Sequence, residues 1–162
     1  MKIAPLKEIK LELKDKSKEE IMELCLLMTK YKKENKELLT YLLFERENEA
    51  GYVQSIKDEI DAQFDTINKA TYYFINKGVR KVLRSCKKHI RYSKNKETEV
   101  EVLIYFCSKV KEVSDYYQHN ASLLAIYFKQ LEMARKKIAG MHEDLQYDYN
   151  LMIDEVLDEY ED

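Results

Sequence analysis

Glycine and proline are scarce in this chain, with three of the first and one of the second in 162 residues; usual frequencies are about 7% and 5%. So little punctuation argues against many short strands and tight turns, and for long helices with short connections. Cysteine is also rare. Cys25, Cys86 and Cys107 are far apart, odd in number and set among apolar neighbours, which excludes a disulfide framework and a paired-cysteine metal site and predicts buried, reduced thiols. No stretch approaches the ~18 uninterrupted apolar residues of a membrane span. The N-terminal MKIAPLKEIK breaks into charge too early for a signal peptide, so the expectation is a cytoplasmic protein with no membrane partner.

The most informative absence is local. Between Asp65 and Glu97 there is no acidic residue, while Lys69, Lys77, Arg80, Lys81, Arg84, Lys87, Lys88, Arg91, Lys94 and Lys96 all fall there. With a net charge of −2, these ten positive charges leave −12 for the remainder of the chain. Charge is segregated, and from Ile138 to the end nine acidic residues stand with no Lys or Arg.

What is present reads as helix. Charged residues make up 36% and hydrophobic ones 45%, a balance too apolar for a disordered chain. The length fits a single helical domain, 1–162, able to bury roughly 70% of its unfolded surface. Pro5 opens a short amphipathic turn or two through Leu6, Ile9 and Leu13. Ser17 with Glu20 is a capping box that starts a helix to about Lys33, expected to bury Ile21, Leu24, Cys25, Leu27 and Met28. Asn35 is expected to cap a second helix through Leu38, Leu39, Leu42 and Leu43 to about Asn48, and the two to form a hairpin. Gly51, after Ala50, is expected where a helix ends, since glycine takes the left-handed conformation at little cost.

The order of a short Leu-Lys helix, then residues 13–21, Leu-Lys-Asp-Lys-Ser-Lys-Glu-Glu-Ile, then residues 36–42, Lys-Glu-Leu-Leu-Thr-Tyr-Leu, resembles the start of an uncharacterised bacterial family of small all-helical proteins of unknown function. The resemblance covers about the first 65 residues. It implies an N-terminal helical hairpin and carries no activity, cofactor or partner with it.

Val53, Ile56, Ile60, Phe64 and Ile67 predict a third helix, and Tyr72, Ile75, Val79, Val82, Leu83, Cys86 and Ile90 carry the same period through the basic stretch. Gly78 interrupts that pattern, which predicts a close contact or a bend. Residues 93–96 read as a loop, followed by a second capping box, Thr98 with Glu101. The helix after it is apolar over more than half its circumference and is expected at the centre of the fold. Asn120 caps a further helix stopped by Gly140, and a last helix runs through Leu145, Tyr149, Met152, Ile153, Val156 and Tyr160. The fold class is all-α: about seven helices in antiparallel hairpins, as a bundle or a short α-α superhelical stack.

At 100° per residue, Lys77, Arg80, Arg84, Lys87, Lys88, Arg91 and Lys94 fall within a sector of roughly 120°, opposite the apolar residues of the same helix. The first six are the candidate binding residues for an anionic partner, because arginines in line can each offer paired N–H donors. Asp144, Asp148, Glu155, Glu159 and Asp162 line one face of the last helix, so the two stripes can meet within one molecule or between two. No zinc finger, helix-turn-helix, glycine-rich phosphate loop or GxSxG occurs. Glu112, Asp115 and His119 are too few for a recognised metal pattern, and Glu-x-x-His is missing. His89 and His142 read as ordinary helix residues. The sequence therefore points to a non-enzymatic scaffold or protein-interaction module without cofactor or metal, using the basic helix and the acidic C-terminal helix toward a protein partner or in self-association. The alternative is nucleic-acid or polyphosphate binding through residues 77–96.

Overall fold

A computed structural model of the chain describes residues 1–113 and 119–158. Among these it is all-α, with α1 Leu6–Lys14, α2 Lys18–Tyr31, α3 Lys33–Thr40, α4 Glu49–Asp65, α5 Tyr72–Ser93, α6 Lys96–Glu112, α7 Ala121–Ile138 and α8 Glu143–Asp158. No helix among them is long and apolar enough to cross a membrane. The chain divides into two compact units, Met1–Phe44 and Glu45–Asp162.

In the first unit the helix starts follow the expected chemistry. Pro5 opens α1, which runs for nine residues instead of a turn or two. Ser17 Oγ accepts from the Glu20 amide at 3.1 Å, and the Ser17 amide donates to the Glu20 carboxylate at 2.8 Å. That bond from the Ser17 amide, with Lys16 beside it, holds the Glu20 carboxyl below its usual range. Asn35 does not cap. α3 begins at Lys33, and the Asn35 amide donates back to the Met28 carbonyl at 2.7 Å, which ties the α2–α3 hairpin. A five-residue π-helical turn, Tyr41–Glu45, follows. The expected burial fails here: no residue of α1, α2 or α3 is buried, Cys25 included. Within this unit only Tyr41 is.

The second unit is built around α6, as its apolar circumference requires. Val100, Val102, Leu103, Ile104, Phe106, Cys107 and Val110 are all buried, with α4, α5, α7 and α8 packed around them. Val53, Ile56, Ile60 and Phe64 reach in from α4, and Phe64 meets Phe106 with ring centroids 5.9 Å apart. Leu123, Tyr127, Leu131 and Ile138 come from α7. Tyr127 ties α8 down by donating to the Val156 carbonyl at 3.0 Å. Burial pushes the Cys86 thiol up to about 12 and raises that of Cys107 as well, so both behave as core.

Three expectations change in this unit. Gly51 lies in the first turn of α4, with negative φ; it is tight because Asn48 Oδ1 caps its amide at 3.1 Å and a Cβ there would collide with that side chain. Thr98 is not a cap. Asn95 caps α6, and Thr98 is buried with its hydroxyl on Glu49 at 2.6 Å, where Ser93 also donates. Lys94 leaves the helix as the left-handed cap of α5, at φ 56°, so it drops off the basic stripe. Asn120 does cap α7, and its buried amide also exchanges hydrogen bonds with Asn76 of α5 at 2.9 and 3.3 Å.

Candidate binding surface on helix α5

Helix α5 owes its orientation to three flanks. Ile75, Val79, Val82 and Cys86 are buried and point it into the core. On the α4 side, Glu59 gathers three partners: Ser85 Oγ at 2.7 Å, Gln63 Nε2 at 2.6 Å and His89 Nε2 at 3.1 Å. His89 in turn offers Nδ1 to the Tyr52 hydroxyl at 3.1 Å. On the α7 side stands the Asn76–Asn120 pair, and Arg80 Nη2 donates to Ser122 Oγ at 2.7 Å. With the core, α4 and α7 fixing it, α5 turns its remaining face outward.

That face carries the predicted stripe. Lys77, Arg80, Arg84 and Arg91 are exposed, and Lys87 and Lys88 are half-buried. Because α5 is unbroken from Tyr72 to Ser93, Lys77 to Arg91 spans about 21 Å at 1.5 Å per residue. Among the described residues, Lys77, Lys81, Arg84, Lys87 and Arg91 form no ion pair. The acidic helix does not serve them. α8 packs against α6 and α7, and Asp144, Asp148 and Glu155 are exposed without a Lys or Arg partner among the described residues. Glu159 and Asp162 lie outside those residues, as does Asp115 of the weak metal pattern. Among the described residues no group of three or more His, Cys, Asp or Glu is placed to hold a metal ion.

Beside the stripe lies a groove of about 310 Å³ that the sequence did not announce. Ile67, Phe74, Gly78 and Val82 form its apolar floor, Lys77, Lys81 and Arg84 its cationic edge, and Gln63, Thr66 and Asn68 its polar end. Gly78 makes it possible: a Cβ there would stand 2.9 Å from Ile67 Cγ1, so only glycine lets the α4–α5 connection fold this close to α5. The close contact expected at Gly78 is therefore with Ile67. Lys81, left out of the candidate set because it falls outside the narrow sector, belongs to this groove. Tyr72 and Tyr73 are exposed at the N-terminal end of the helix, Tyr73 at 68%.

No protein-family model, curated protein or solved structure matches this chain.

Proposed function

We propose that this protein is a non-enzymatic interaction module whose α5 face grips an acidic segment of a partner protein. One observation carries the reading: five cations of one helix face are left without an ion pair in their own chain among the described residues, although acidic residues abound elsewhere. The groove favours a protein over a bare polyanion. An acidic peptide brings carboxylates to Lys77, Lys81 and Arg84 and an apolar side chain to the floor at Ile67, Phe74 and Val82, and such an anchor supplies most of the binding energy while rim charges set orientation and association rate. The exposed acids of α8 are a second recognition surface, suited to a basic partner.

Capture from lysate on immobilised protein tests the role of the stripe. Wild type retains an acidic partner and Arg84→Glu/Arg91→Glu does not; equal capture by both would refute it.

A second reading, nucleic-acid or polyphosphate binding, is favoured by the exposed Tyr72 and Tyr73 at the end of the stripe, since aromatic side chains stack on bases. Net charge and a pI of about 6.0 weigh against it. It requires the logarithm of affinity to fall against the logarithm of salt with a slope of about −4 for some five phosphates.

A further inference from the structure

Helix α2 has the composition of an interior helix and none of the burial. From Ile21 to Met28 every residue except Glu23 is apolar, so apolar side chains cover it nearly all round, a pattern that marks a helix meant to be enclosed. Yet Leu27 is 63% exposed, Met28 64% and Tyr31 80%. Helix α1 is amphipathic instead, and its apolar face is equally open, with Leu6 81% exposed. Seventeen of the twenty-three exposed large hydrophobic residues described fall in the first 44 positions.

From this we infer that the first unit is a homodimerisation element, its α1–α2 surface covered by the same surface of a second copy. The apolar spacing suits helix-on-helix packing. Ile21, Leu24, Met28 and Tyr31 recur at three, four and three residues, the seam of a coiled-coil contact. Leu6, Ile9 and Leu13 give α1 the same spacing. Grooves of about 420 Å³ along α1, at Leu6, Ile9 and Leu13, and of about 460 Å³ reaching Leu24 of α2 leave room for side chains from outside.

Charge selects the copy as occupant. Between Leu6 and Tyr31 six lysines are interleaved with six acidic residues, so the surface is neutral. An acidic or basic partner gains no steering from it, whereas a second copy meets no net repulsion and finds opposite charges for its own. The area also suffices. A standard interface buries about 800 Å² per partner, and the eleven exposed apolar side chains of α1 and α2, at roughly 50–100 Å² each, offer an area of that order. This surface shares no residue with α5.

The test is the mass of the full chain in solution by light scattering over a dilution series. The wild type is expected at twice its 19.4 kDa, dissociating on dilution, and Leu24→Glu/Met28→Glu weakens the dimer by at least about thirtyfold per site. Leu151→Glu, on α8, leaves it unchanged. Should the double variant lose helix content, the wild type still decides. Cys25 is the exposed cysteine, with Cys86 and Cys107 buried, and a short bis-maleimide should join two chains through Cys25 and fail in Cys25→Ser. A wild type that is monomeric at tens of micromolar and gives no Cys25-linked pair overturns the inference, as does a monomer whose apolar surface is covered only on adding lipid vesicles.

Discussion

His89 Nε2 stands 3.1 Å from a Glu59 carboxylate oxygen, and this bond sits on the flank of α5 next to the basic stripe. With Ser85 and Gln63 on the same carboxylate, Glu59 is the α4-side anchor of α5 and helps fix where its cations point. Glu59→Ala strands three partners in a half-buried place and should cost about 1–3 kcal/mol. A denaturant melt should show a lower midpoint at unchanged slope. An unchanged midpoint would mean that the network orients nothing.

Gly78 and Ile67 make a coupled pair. Alanine at Gly78 gains about 1 kcal/mol of helix propensity but forces a Cβ to within 2.9 Å of Ile67, an overpacking of about 1–3 kcal/mol. Gly78→Ala should therefore destabilise the protein, and in an Ile67→Ala background the same change should stabilise it. A double-mutant cycle reads the coupling. The same sign in both backgrounds would rule out the close contact.

Tyr105 donates to Asp61 at 2.7–2.8 Å, and burial, then that bond and the Asp61 charge, push its hydroxyl up to about 12. A raised folded value means that the contribution is fully present below the ordinary pKa of 10 and is lost as pH climbs from about 10 through 12. Phenolate absorbance should show one tyrosine titrating later in wild type than in Asp61→Asn. Identical titrations would contradict the bond.

Ser17 and Glu20 close the start of α2 from both sides. Because the Glu20 carboxyl is held low, the box is intact above its ordinary pKa of 4.5 and opens as pH falls below it. Amide exchange at residues 18–21 should accelerate in acid, and in Ser17→Ala at neutral pH by about two- to thirtyfold, from the ~0.5–2 kcal/mol worth of a cap. No change in either would discount the cap.

The helices were legible in the sequence because their signals are local: a serine and glutamate three apart, an asparagine before an apolar run, a period of 3.6. The stripe from Lys77 to Arg91 was legible for the same reason, since an unbroken helix turns spacing into geometry. Burial was not. Ile21, Leu24 and Met28 have a core pattern, but where such residues find their cover depends on what packs over them, and no pattern within a helix names that cover. The groove is not legible in the sequence because it needs Ile67 and Gly78 to meet across a connection, nor is the role of His89, because Glu59 lies thirty residues away.

The most direct test of the basic face is a fluorescence anisotropy titration with a labelled glutamate-rich amphipathic peptide, run at low and at physiological salt beside a single-stranded oligonucleotide of equal charge. The wild type should bind the peptide, more weakly as salt rises and more tightly than the oligonucleotide. Arg84→Glu/Arg91→Glu should lose at least about tenfold in affinity, or ~1.4 kcal/mol. Peptide binding that is undetectable at low salt, or indifferent to the double reversal, would contradict the account.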